Sequence, residues 1–225
     1  MKQISWRTLQ RVKGWLGLER FHALNMLDKK LLQWLDYRDG FFIECGANDG
    51  VTQSNTLFFE RYRGWRGLLV EPVPELAAKC RKNRPDAIVE QCALVADCDR
   101  GKSINFTYCD LMTTADGALG GAENVQEHIS VGAKVQSIEP YRFEAIGCPL
   151  SDLLERHHVD HVDLFSLDVE GAESAVLDGL DLKRHAPKLI LVETRSQPEV
   201  DSRLLPRYEL VGKLSVHDLL YRLRS

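Results

Sequence analysis

The chain has 225 residues, 44% of them apolar and 28% charged, with a formal net charge of −4. That length suits one sizeable domain, and the near balance of charge gives the chain as a whole no electrostatic reason to bind nucleic acid. No apolar run reaches the ~18 residues that cross a membrane, and Met1-Lys2-Gln3-Ile4-Ser5-Trp6-Arg7 leads into mixed polar sequence, not the apolar core of a secretory leader.

Residues 1–40 read as a helical appendage. Lys2, Arg7, Arg11, Lys13 and Arg20 interleave with Trp6, Leu9, Val12, Trp15, Leu16 and Phe21. Two readings stay open: a cap packed on the domain with its basic face in water, or a peripheral contact with an anionic membrane. Gly14 and Gly17 weaken a long helix and favour the cap.

From Phe41 the pattern alternates between strand and helix. Phe41-Phe42-Ile43 ends in Glu44, and Cys45-Gly46-Ala47-Asn48-Asp49-Gly50 follows as a short turn. Ser54 or Asn55 suits the cap of a helix through Leu57, Phe58 and Tyr62. A second apolar run, Gly67-Leu68-Leu69-Val70, ends in Glu71. Pro74 and Glu75 suit the first turn of a helix reaching about Asn83. A third strand is expected from Ala87 to about Leu94, and Ser103–Tyr108 alternates like an extra strand. Residues 110–140, with Gly117, Gly120 and Gly121, read as an irregular excursion: a binding lid or a plain surface loop.

Regularity returns with a helix over Pro149–Arg156, capped by Ser151, and a strand over Val162–Val169. A helix begins near Gly171, and a fifth strand covers Lys188–Glu193. Tyr208–Lys213 and His217–Leu223 form an antiparallel hairpin. The whole pattern predicts an α/β fold: a mostly parallel sheet, helices on both faces, and one reversed edge in an antiparallel C-terminal edge hairpin.

The chemistry follows from the first two strands. An acid at the tip of the second strand in such a unit accepts hydrogen bonds from a ribose diol. A dinucleotide site wants G-x-G-x-x-G, with a pyrophosphate on the helix start. Gly46-Ala47-Asn48-Asp49-Gly50 lacks the middle and last glycines, and Asp49 brings negative charge. Carboxylates at Glu44, Asp49 and Asp168 instead suit a cofactor with a cationic amino-acid end, such as S-adenosylmethionine (SAM).

Three segments then carry a family resemblance: Glu44–Gly50, Leu69-Val70-Glu71-Pro72, and Pro149–Gly179 with its Asp168-Val169-Glu170-Gly171-Ala172-Glu173 element. Over roughly residues 40–223 the chain resembles the FkbM family of SAM-dependent methyltransferases. The resemblance implies a class I (Rossmann-like) methyltransferase domain over residues 41–225. Its typical chemistry is O-methylation of sugar, glycan or polyketide hydroxyls on a small-molecule or glycan acceptor. It implies that Glu44, Gly46, Ala47, Asn48, Asp49 and Gly50 line the methionine end of SAM. Glu71 takes the ribose, while Pro72, Ala93 and Leu94 border the adenine. Asp168 faces both cofactor and acceptor.

An alkyl hydroxyl must lose its proton as it attacks, so a carboxylate base is expected: Asp168 first, then Glu170 and Glu193. Glu173 reads as a helix-start carboxylate that complements the dipole. His157, His158 and His161 read as helix-end histidines rather than metal ligands. The six cysteines contain no C-x-x-C and read as reduced thiols of a cytoplasmic protein. The alternatives are an inactive binding module on the same fold and a nicotinamide-dependent oxidoreductase.

Overall fold

The computed structural model describes residues 19–118 and 122–224. The strands in chain order are β1 (Phe41–Cys45), β2 (Arg66–Val70), β3 (Ile88–Glu90), β4 (Ala93–Leu94), β5 (Ser103–Tyr108), β6 (Thr114–Ala115), β7 (Tyr141–Cys148), β8 (Leu164–Leu167), β9 (Leu189–Glu193), β10 (Tyr208–Lys213) and β11 (Asp218–Leu223). The α-helices are α1 (Leu27–Leu35), α2 (Pro74–Asn83), α3 (Ala122–Gln136), α4 (Leu150–Arg156), α5 (Glu173–Asp178) and α6 (Gln197–Leu204).

The main sheet has seven strands in the order β10-β11-β9-β8-β1-β2-β3. Only β11 runs against its neighbours, pairing antiparallel with both β9 and β10. The expected α/β fold and its edge hairpin are therefore present, but the reversed strand is β11, one strand in from the edge. Its central strands are apolar on consecutive residues because both faces are covered. On one face, Ile43, Leu68 and Phe165 pack with Leu153 of α4, Val176 of α5 and Val200 of α6. On the other, Phe42, Leu69 and Leu164 pack with Leu31 and Leu35 of α1 and with Cys80 of α2.

The parallel register decides where the site lies. Cys45 sits opposite Val70 and Leu167, and Leu167 sits opposite Val192. The next residues, Gly46, Glu71, Asp168 and Glu193, thus share one level at the carboxyl ends of the strands. At the far end, Asp163 accepts hydrogen bonds from Tyr37 Oη (2.6 Å), Phe41 N (2.8 Å) and Lys188 Nζ (2.7 Å). Burial alone would raise its pKa, but these bonds pull it down to about 2.

The expected third strand divides. β3 stays at the edge of the main sheet, and β4 pairs with β7 in a second sheet of order β4-β7-β5-β6. The stretch 110–140 is not irregular throughout, since it contains the 15-residue helix α3. Ser151 does not cap α4, which starts at Leu150; its hydroxyl accepts from Asp181 N at 2.7 Å. The helix after β8 begins at Glu173, later than Gly171.

Ser54 does act as a cap, accepting from Leu57 N at 3.1 Å. Past Phe58 the chain widens into a π-helical turn, Phe59–Arg63. All six cysteines are free thiols. The basic, Trp-bearing pattern before residue 19 and the Gly120-Gly121 pair lie outside the described residues. No described helix is long and apolar enough to cross a membrane.

Candidate active site

The turn after β1 is built by backbone geometry. Gly46 has φ of 76°, and a Cβ there would lie 1.9 Å from the Asp168 carbonyl oxygen. Only glycine meets both demands. Its N–H and that of Ala47 donate to Val70 O at 3.1 and 3.2 Å. Asn48 follows at φ 49°, a left-handed conformation that asparagine tolerates. Its N–H donates to Glu71 Oε2 at 2.8 Å, while Val73 N donates to Oε1 at 2.9 Å. Burial nevertheless pushes the Glu71 carboxyl up to about 7, against the pull of those two donors.

Glu44 is buried and heavily bonded. It accepts from Asn55 N (2.7 Å), Ser54 Oγ (2.8 Å) and Thr56 Oγ1 (2.6 Å). Behind it lies Arg84, fully buried, 3.6 Å from Glu44 and 2.7 Å from Glu60. Arg84 also donates to Gly50 O at 3.0 Å and so ties the whole 50–56 loop to α2. Nothing in the sequence pattern marked it.

A cavity of about 570 Å³ opens at these strand tips. Glu44, Gly46, Ala47, Asn48, Glu71 and Pro72 line it, as do Ala93 and Leu94 of β4. Asp49 and Gly50 do not. Asp49 folds back on its own loop, accepting from Val51 N (2.8 Å) and Thr52 N (2.7 Å), because a short carboxylate caps a local turn better than it reaches a ligand. Gly50, at φ 79°, packs on Arg84 and Cys80.

A second cavity of about 480 Å³ lies beside the first. Met112, Asp168, Glu170, Gly171, Ser174 and Glu193 border both. The three expected catalytic carboxyls are thus gathered at one junction. Burial, then Glu193 and Glu170, holds Asp168 well above the carboxylate range. Burial and Asp218 raise Glu193. Burial and Glu193 push Glu170 up to about 7, while Arg195 pulls the other way. Glu173 lines only the second cavity, where its Oε1 takes the Gly171 N–H at 2.8 Å.

Helix α3 adds Asn124, Glu127, His128 and Val131 to the second cavity. The buried residues Val125 and Ile129 mark the packed face of that helix, an i, i+4 pattern that the flanking glycines obscured. The three helix-end histidines stay apart from both cavities. His157 Nε2 contacts Glu90 at 2.5 Å, and His161 Nε2 contacts Asp163 at 3.0 Å.

The model of the FkbM methyltransferase domain matches residues 44–220. The chain belongs to the FkbM methyltransferase family. It is 26% identical over 212 residues to the 2-O-methyltransferase NoeI of Sinorhizobium fredii (strain NBRC 101917 / NGR234), covering 88% of this chain and 84% of that protein. Among solved structures it is similar to an FkbM methyltransferase from Methylobacillus flagellatus KT. The TM-score is 0.49 at 10% identity, over 99% of this chain and 63% of that one. A TehB-like SAM-dependent methyltransferase from Corynebacterium glutamicum ATCC 13032 gives 0.45 at 8% identity, over 96% of each chain.

Membership makes this a SAM-dependent methyltransferase, and the first cavity can be tested against that cofactor. Its acids include the buried Glu44 and Glu71 and the half-buried Asp168, all at strand tips, which suit a ligand with ammonium and sulfonium charges. Asn55 Oδ1 is buried with no hydrogen-bond partner, while its Nδ2 donates to Ser166 Oγ at 3.0 Å. That orphaned acceptor borders the same cavity and suits an N–H donor. The residues present fit the group.

Proposed function

We propose that this protein methylates a hydroxyl oxygen on a sugar, glycan or polyketide-type acceptor. One observation carries the reading: two adjacent cavities meet at Asp168, Glu170 and Glu193. One cavity has the donors and acids a SAM molecule needs. The other is open to an acceptor, and a carboxyl cluster stands where an acceptor proton must go. The relative named as a 2-O-methyltransferase points to oxygen as the nucleophile.

In this reading Glu71 takes the ribose hydroxyls on the lone pairs that Asn48 N and Val73 N leave free. Gly46 and Ala47 let the backbone approach the methionine end, with Asp168 and Asn55 facing its ammonium. Glu44 acts from behind, fixing the loop, and Asp49 and Gly50 shape that loop without touching the ligand. Pro72, Ala93 and Leu94 border the adenine. When bound, the cofactor supplies an activated methyl carbon. The protein then has to align the acceptor oxygen and receive its proton, and alignment of this kind is worth about 7–11 kcal/mol. Helix α3 forms a wall of the acceptor cavity, and the described residues 19–40 serve as a cap.

Titrating SAM and NAD separately by calorimetry tests the cofactor assignment; binding of NAD alone would sink it. A panel of sugars and lipid-linked glycans, read by mass spectrometry for the gain of one methyl group, tests the acceptor class. Methylation confined to amines or carbon centres would refute the hydroxyl assignment.

A further inference from the structure

The three carboxyls at the junction have different neighbours. Asp168 and Glu193 stand side by side at neighbouring strand tips, each one residue past the Leu167–Val192 pair, and burial, then Glu193, raises the pKa of Asp168. Glu170 is held differently. Its backbone sits at φ 49°, and its carbonyl accepts the Thr114 hydroxyl at 2.9 Å. Its side chain meets His128, which α3 brings in from the other side of the second cavity.

His128 is buried, with Nε2 at 3.1 Å from the Met112 carbonyl oxygen and 3.5 Å from Glu170 Oε2. The Met112 carbonyl takes the hydrogen bond, so Nε2 carries the proton, and the Glu170 carboxyl contacts the same edge of the ring. Nδ1 is left as an acceptor facing Arg195 Nη2 at 3.5 Å. Burial and the Arg195 charge lower the pKa of His128, which keeps the ring neutral near neutral pH. The imidazole is therefore a fixed N–H donor, bridging the turn at Met112, the loop after β8 and the loop after β9.

We propose that Glu170 is the carboxylate that takes the acceptor's proton and that His128 is the positioning residue that aims it. The proposal rests on the methyl-transfer reading above. In the step, the acceptor O–H proton passes to Glu170 Oε as the oxygen lone pair forms the bond to the methyl carbon. The carbon–sulfur bond breaks with its electron pair on sulfur, which turns a sulfonium into a neutral thioether. Glu170 then gives the proton to water.

The test reads Glu170 directly. Protein carrying 13C-carboxyl glutamate is titrated by NMR, with E170Q assigning the signal. The charged groups around it are Glu127 on α3, Asp168, Glu173, Glu193, Arg195 and Glu199. In the parent, Glu170 should titrate near 7. His128→Phe removes the N–H donor and should raise that value by roughly half a unit or more. His128→Gln, whose amide N–H lies near the Nε2 position, should stay close to the parent; His128→Asn, whose amide lies near Nδ1, should follow the Phe variant.

With any acceptor from the panel, E170Q should lower kcat by about 10²–10⁴-fold. Asp168→Asn should cost at least tenfold less than E170Q, and the acid limb of the pH–rate profile should move with the Glu170 titration in His128→Phe. An unshifted Glu170 in both His128→Phe and His128→Asn overturns the positioning role. An equal loss in Asp168→Asn and E170Q overturns the choice of base. Failure of the methyl-transfer reading shows separately, as a parent protein with no affinity for SAM.

Discussion

The two cavities share a border and differ in how their walls are made. The first cavity is walled by turns at strand tips, where Gly46 and Asn48 hold unusual backbone angles and N–H groups do the binding of Glu71. A buried arginine locks that loop from behind. The second cavity is walled by side chains from separate pieces of chain: Met112, the α3 residues, and the loops after β8 and β9. Backbone walls fix one ligand shape closely. Side-chain walls are exchangeable by substitution.

The sharpest way to break this contrast is to remove the lock. Arg84→Met leaves Glu60 and Glu44 without their buried partner and should cost about 3–5 kcal/mol. At roughly 2–4 °C per kcal/mol for a chain of this size, calorimetric melting should fall by about 6–20 °C. An unchanged melting temperature would mean that the cofactor loop holds itself. Glu71→Ala should come next. Loss of charge-assisted bonds to the ribose is expected to weaken SAM binding by about 1.5–3 kcal/mol, or roughly 10–150-fold, in a calorimetric titration. Affinity equal to the parent's would show that the ribose lies elsewhere.

A smaller effect comes from pH. Glu71 and Glu170 are each raised from their ordinary 4.5 to about 7, so the folded state holds protons that the unfolded chain has released. Their contribution is complete below 4.5 and is lost as pH rises through 7. His22, lowered by burial to about 4, acts only below its ordinary 6.5. From about pH 6.5 to 8, stability without ligand should therefore fall by about 1 kcal/mol for each of the two glutamates. Saturating SAM should flatten that slope, since its positive charges favour the ionised acids. Thermal melts over that range, with and without SAM, decide it; a rising stability would contradict the assignment. The mildest change touches the acceptor wall alone. Val131→Trp should intrude on the second cavity and raise the acceptor KM about tenfold, with SAM affinity within about twofold. A matching loss of SAM affinity would show that the two walls are not separable.

The first cavity was legible because its signals are local. An apolar strand ending in an acid, as in Phe41–Glu44 or Leu189–Glu193, announces both the strand and its tip. The parallel register then brings distant tips to one level without further information. The second cavity was not legible in the same way. His128 matters only because α3 folds back onto the loop after β8, a contact between residues 42 apart in the chain. Arg84 gave no signal, since nothing nearby in sequence shows that Glu60 and Glu44 wait for it. The alternation of Phe143 and Ala145 with Arg142 and Glu144 was a usable strand signal within 110–148. The glycine-rich stretch before it drew the reading toward loop.

The chain passes from β3 to β4 across only Gln91 and Cys92, and in doing so passes from one sheet to the other. Ala93 and Leu94 border the first cavity while hydrogen-bonded to β7, whose partner β5 leads into the Met112 turn. A ligand that shifts the small sheet therefore also shifts part of the donor's surroundings. Linkage then requires reciprocity: whatever factor an acceptor applies to donor affinity, the donor must return to the acceptor. Donor titrations repeated in the presence of acceptor would measure that factor, and its size would report how stiffly these two residues join the sheets.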